Sequence, residues 1–143
     1  MHEISKSLGR PFATICKSSK QIGELVKEAK SISGKKAFVL LLDENTDPER
    51  LLASYFNAMV KEQGNIAKAQ SPCIEMLLFV CGTSNIKEAI KRCGAKKSER
   101  FLVFSTSKSL FDKFVKNAKA SIVKQVRLVL QMDKAANVAM TEA

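Results

Sequence analysis

Residues 73–93 read CIEMLLFVCGTSNIKEAIKRC, and the reading of the first nine decides the fold. Cys73-Ile74-Glu75-Met76-Leu77-Leu78-Phe79-Val80-Cys81 is a near-continuous apolar run of strand length, so the pattern predicts a β-strand. Gly82-Thr83-Ser84-Asn85 then turns the chain into a helix, with Asn85 and Glu88 at reciprocal capping distance. Ile86, Ala89, Ile90 and Cys93 share one face of that helix, and Gly94 is placed to supply a left-handed stop.

Upstream, the run from Lys36 to Leu42 (KAFVLLL) predicts a central strand covered on both faces, and Pro11–Cys16 predicts a first strand bounded by Gly9 and Arg10. Between them, Ser18 and Gln21 have capping-box spacing ahead of a helical stripe of Ile22, Leu25, Val26, Ala29 and Ile32. Asp47 caps and Pro48 opens a further helix to about Gly64, with a broad apolar face of Leu51, Leu52, Tyr55, Phe56, Met59 and Val60. A linker from Asn65 to Pro72 follows. Downstream, Phe101–Ser105 predicts a strand, and Ser107 to about Ala118 a helix with an inner stripe of Leu110, Phe111, Phe114, Val115 and Ala118. Val126–Leu130 is a fifth strand or a helix extension, and Asp133–Ala143 a weak terminal helix. Alternating strands and helices point to an α/β fold or, with the same linear order, a split-pair α+β fold: one domain over residues 1–143, with a mixed central sheet of about four to five strands covered by helices.

Composition agrees with one folded domain: 143 residues, 45% hydrophobic and 27% charged, with 6 Gly and 3 Pro. No apolar run approaches a membrane span and the first residues lack the apolar region of a secretory signal, so an intracellular, cytoplasmic protein without a membrane partner is expected. Cysteines 16, 73, 81 and 93 form no C-x-x-C pair and the single histidine is His2, which argues against a zinc site and against Ser-His-Asp or Cys-His catalysis. The cysteines are expected to be reduced and to pack as small hydrophobes. No cofactor is implied.

The formal charge of +10 favours a polyanionic partner. It is spread rather than confined to a tail: residues 1–40 hold 8 basic and 3 acidic groups, 41–60 hold 1 and 4, 61–100 hold 8 and 4, and 101–143 hold 7 and 3. Lys61 and Lys68 lie around the linker, Lys87, Lys91 and Arg92 on the outer face of the helix after Asn85, and Lys96 and Lys97 beyond it. A lysine-rich solvated face is the equally weighted alternative. The Gly82–Asn85 turn offers N–H groups to a phosphate but has neither G-x-G-x-x-G nor the Gly-Lys-Ser/Thr of a P-loop, so a plain turn is preferred. Asp43, Glu44, Asp47 and Glu49 read as a solvated turn rather than an ion site. Glu75, placed by strand alternation beside Cys73, Leu77 and Phe79, reads as half of a structural ion pair or hydrogen bond before it reads as a catalytic base. Tyr55 and most of the eight Phe residues fall on core stripes.

One resemblance stands out. A helix with Ala53 and Ala58, then Ile74-Glu75-Met76-Leu77-Leu78, Cys81-Gly82-Thr83-Ser84-Asn85-Ile86-Lys87-Glu88-Ala89-Ile90, Gly94 and Phe101-Leu102-Val103-Phe104, resembles the small kinase-associated regulatory subunit of the KEOPS complex, the TPRKB family. The block from Leu51 to Ser105 carries it, over a third of the chain, and Asn-Ile-x-Glu-Ala-Ile-x-x-x-Gly is its sharpest part. Cys81 departs from the small hydroxyl residue of many relatives, and the stretch after Ala118 matches poorly. The resemblance implies a non-catalytic subunit that binds the atypical KEOPS kinase/ATPase subunit, meets the other subunits indirectly, and recruits tRNA by its single-stranded 3′ CCA end for threonylcarbamoyl-adenosine formation next to the anticodon. The charge reading of the residues themselves would lay such an end near the Gly82–Ile86 turn, with Asn85 beside it and Lys61, Lys68, Lys87, Lys91, Arg92, Lys96 and Lys97 on its phosphates. Competing readings are an RNA-binding module without a kinase partner, a small enzyme using Glu75, and an adaptor without RNA affinity.

Overall fold

Apolar side chains on both faces of a strand need cover on both sides, and the chain supplies it with two separate sets of helices. A computed structural model describes residues 11–34, 37–63 and 71–128. In chain order these form β1 (Phe12–Ser18), α1 (Ile22–Ile32), β2 (Val39–Leu42), α2 (Pro48–Gln63), α3 (Pro72–Cys81), α4 (Ile86–Cys93), β3 (Phe101–Ser105), α5 (Lys108–Ala118) and β4 (Ala120–Val126). The predicted terminal helix and all but the first three residues of the 126–130 segment lie outside the described residues.

The sheet order is β2-β3-β1-β4, and each neighbouring pair is antiparallel. Among the described residues the sheet therefore has four strands and is antiparallel throughout rather than mixed. Since β1 and β2 both run against β3, they are parallel to each other with β3 between them, and α1 joins them. By the same logic β3 and β4 are parallel across β1 and are joined by α5. Two interleaved split β-α-β units of the ferredoxin-like kind result, and the fold is α+β. The three helices α2–α4 are inserted between β2 and β3.

Strand alternation sorts the side chains into two cores. Cys16, Val39, Leu41, Phe101 and Val103 meet Leu25 and Ala29 of α1 and Phe111, Phe114 and Ala118 of α5. On the other face Ala13, Ile15, Leu40, Leu42, Leu102 and Phe104 meet Leu51, Tyr55, Ala58 and Met59 of α2, Met76 and Leu77 of α3, and Ala89 of α4. Tyr55 anchors this second core, its ring 5.5 Å from Phe104 and 6.1 Å from Phe38. The predicted inner stripes of α1 and α5 are the ones buried.

The decisive stretch is a helix, not a strand. Ser71 caps α3 by accepting from the Ile74 N–H at 3.3 Å, Pro72 stands at its start, and Gly82 closes it with φ 73° and an N–H bond to the Leu78 carbonyl. Buried on nearly all sides, α3 displays no polar stripe, so its sequence lacks the periodicity that separates helix from strand. Three smaller expectations also change. β1 runs on through Ser18, whose hydroxyl donates to the Ala118 carbonyl at 2.8 Å, and α1 starts after Gln21 without a side-chain cap. β2 ends the sheet instead of lying inside it, its outer edge met by a bridge from Leu42 to Gly94 and by the Asp43 N–H donating to Cys93 at 2.9 Å. Finally, the last described strand begins at Ala120, earlier than the pattern predicted.

Gly94 is not the left-handed stop its position suggested: its φ is −68°. It is required by space, because a Cβ there would lie 2.6 Å from the Ile90 carbonyl oxygen. We therefore expect Gly94→Ala to cost about 1–3 kcal/mol through overpacking against backbone. Gly82→Ala, which meets open space but keeps a positive φ, should cost about 1 kcal/mol. Urea denaturation midpoints of the two variants check the order.

Candidate nucleic-acid interface

The turn before α4 is closed by its own groups. The Gly82 and Thr83 N–H groups both donate to Leu78, at 2.8 and 3.3 Å, which ends α3. Asn85 Oδ1 accepts from the Glu88 N–H at 3.0 Å, while the Asn85 N–H donates to Thr83 Oγ1 at 3.2 Å. The capping is thus one-sided, not reciprocal: Thr83 takes the bond a capping box gives to the N3 carboxylate, and Glu88 instead lies 3.9 Å from Arg92. The turn joins two helices and not a strand to a helix.

Helix α4 packs on α3 and turns Ile86, Ala89 and Cys93 into the second core, leaving Lys87, Lys91 and Arg92 exposed. Ile90 leaves the expected inner face and is 50% exposed, one turn from Lys87, in a helix whose only fully buried residue is Ala89. Lys96 reaches back to the Arg92 carbonyl at 3.4 Å, and Lys97 is exposed beside it. The structure accordingly gathers five of the candidate cations, Lys87, Lys91, Arg92, Lys96 and Lys97, on α4 and the segment leaving it. Asn85 sits at the head of this group with its carbonyl used by the cap. Lys68 is outside the described residues. Val60 and Phe79, the other exposed apolar side chains on the inserted helices, sit within runs that look like core, so no local pattern announces them.

Lys61 is held elsewhere. Its Nζ donates to Glu75 Oε2 at 3.0 Å, tying the last turn of α2 to the first turn of α3. Glu75 is 3% exposed. Helical spacing takes Cys73 and Leu77 off its side and keeps only Phe79, one turn on; Glu75 is buried where Lys61 of α2 meets it, while Phe79 is 38% exposed. A carboxylate this deep needs its cation, and one enclosed in this way is poorly placed as a base for an external substrate. The acidic run is also used internally, Glu44 pairing with Arg100 at 2.7 Å, Asp43 accepting from the Asn45 N–H and Asp47 from the Glu49 N–H. Burial pushes the Cys16 and Cys73 thiols up to about 12, and burial followed by a hydrogen bond with Cys81 pushes Cys93 up to about 11. These are poor nucleophiles and poor metal ligands at neutral pH. No helix among the described residues is long and apolar enough to cross a membrane.

Removing Lys61 strands the Glu75 charge. Lys61→Met should cost about 2 kcal/mol, below the range for a fully enclosed pair because Lys61 is itself one-third exposed. The double variant Lys61→Met/Glu75→Met should recover most of that loss, measured by urea denaturation. If the single variant is as stable as the parent, the pair contributes nothing.

No curated protein matches the chain. The sequence model of the kinase binding protein CGI-121 family, however, matches residues 17–141, which takes in everything from the end of β1 through β4 and both sets of helices. This chain belongs to the kinase binding protein CGI-121 family.

Proposed function

We propose that the protein is a non-catalytic, intracellular accessory subunit that binds the atypical kinase/ATPase subunit of the KEOPS complex and recruits tRNA to it for threonylcarbamoyl-adenosine formation. The observation that carries the kinase half is the family match over residues 17–141. The RNA half is supported by the cations on α4 and after it. Lys87, Lys91, Arg92, Lys96 and Lys97 offer point charges on an exposed, capped helix, a surface suited to a phosphate backbone and not to a particular base. Asn85 and the exposed Ile90 lie among them, within reach of a strand laid along the helix. Lys61 would join them only by leaving Glu75 buried without its cation. The 3′ CCA end, single-stranded and flexible, is the part of tRNA that such a narrow strip accommodates.

The test is co-elution on a sizing column of this protein with a KEOPS-type kinase subunit, with intact tRNA and with tRNA lacking CCA, repeated for Lys87→Glu/Lys91→Glu/Arg92→Glu. We expect the variant to keep the kinase, to lose about tenfold or more in tRNA affinity, and to show a salt slope shallower by about 2–3. Unchanged tRNA affinity in a folded variant overturns the RNA half. Failure to co-elute with the kinase overturns the KEOPS assignment, and RNA binding that persists without it leaves an RNA-binding module.

A further inference from the structure

The two ends of the sheet are finished differently. At β2 the edge is short, fully buried and bridged by Gly94. At β4 the edge is seven residues long, and no described strand lies beyond it. Residues 121–125 are exposed along its whole middle, including Ile122 at 54% and Val123 at 37%. An edge strand bonds its sheet through one row of backbone groups and presents the other row outward.

The register assigns its side chains to faces. Cys16 pairs with Ile122 and Ser18 with Ala120, which puts Ile122 on the α1/α5 side of the sheet, beyond the reach of those helices. Lys17 pairs with Ser121 and Ile15 with Lys124, so Lys17 and Lys124 share the opposite side. Between them the pairing steps by one residue on β1 and two on β4, leaving Val123 as the bulged residue. Along the chain the charge here is of one sign: residues 113 through 128 carry Lys113, Lys116, Lys119, Lys124 and Arg127 and no acid, the acid met from outside the stretch being Glu28, which accepts from Asn117. Two copies joined edge to edge would set these cations against each other, and like charges across a strand pair are unfavourable. The same cations favour a strand that brings carboxylates.

We propose that β4 is a docking edge for an extended acidic segment of a partner protein, one that adds a fifth strand by backbone pairing. Its sequence chemistry follows from the faces: acidic residues at alternate positions toward Lys17 and Lys124, and aliphatic residues between them against Ile122. This surface is separate from the α4 cations and does not depend on the tRNA reading.

The probe is a fluorescein-labelled eight-residue peptide of alternating Glu and Val, titrated against the full chain by fluorescence anisotropy, with amide shifts followed by NMR. Controls are the Lys/Val peptide and the Glu/Val peptide N-methylated at alternate residues, which keeps the charge but removes backbone donors. Binding by the Glu/Val peptide, shifts concentrated in residues 119–127, and at least a tenfold loss both on N-methylation and in Lys119→Glu/Lys124→Glu support the proposal. Equal binding by the N-methylated peptide shows a charge effect without strand pairing and overturns it, as do shifts centred on α4. A self-associated species that the peptide fails to dissociate identifies a second copy as the occupant and also overturns it. Because the peptide is the altered partner in the key comparison, the result does not hinge on a variant's folding.

Discussion

From Phe101 to Ser105 every residue of β3 is buried, and the rest of the molecule follows from having to cover that strand on both sides. Successive side chains of a strand point to opposite faces, so Phe101 and Val103 require one apolar layer and Leu102 and Phe104 another. The first layer is α1 and α5, the helices that the two split β-α-β units place on a common face. Those units alone would leave the second face to water. The inserted helices α2–α4 close it, with Leu51, Tyr55 and Met76 as its largest fully buried side chains.

Placement of the candidate interface is a consequence of that second layer. α3 is apolar nearly all round and can only lie between α2, α4 and the sheet. α4 has one narrow inward stripe and is pinned at its end, where Gly94 comes close enough to β2 to form a bridge and where no side chain would fit against Ile90. Its outer surface, with Lys87, Lys91 and Arg92, is thereby held facing water. The Lys61–Glu75 pair fixes the other end of the layer and removes one cation from the same surface. A long basic side chain near a linker is a poor guide to function until its nearest carboxylate is known.

Asp43 and Asp47 accept backbone N–H bonds, Glu44 and Glu75 lie in ion pairs, burial keeps the Cys16 and Cys73 thiols protonated, and Lys87, Lys91, Arg92 and Lys124 stand exposed. Exposed cations of this kind accord with membership in a kinase-binding family, whose members meet a partner protein.

Local patterns in the chain were enough to place the amphipathic helices α1 and α5, the strands β1, β2 and β3, the cap at Asn85, and the collection of cations after it. In each case the deciding interaction lies within a few residues and leaves a period or a spacing behind. The resemblance carried by Leu51–Ser105 was legible for the same reason, since it rests on ordered local patterns. Tertiary structure alone decided that 73–81 is a helix, because a segment buried on all sides loses the polar stripe that would announce its period, although Ser71, Pro72 and Gly82 marked its ends. It also decided the strand order, the antiparallel pairing, the partner of Glu75 and the place of β4 as the last described strand of the sheet. Those depend on which distant segments meet, and the free energy of that meeting belongs to the packed whole and not to any stretch of the chain.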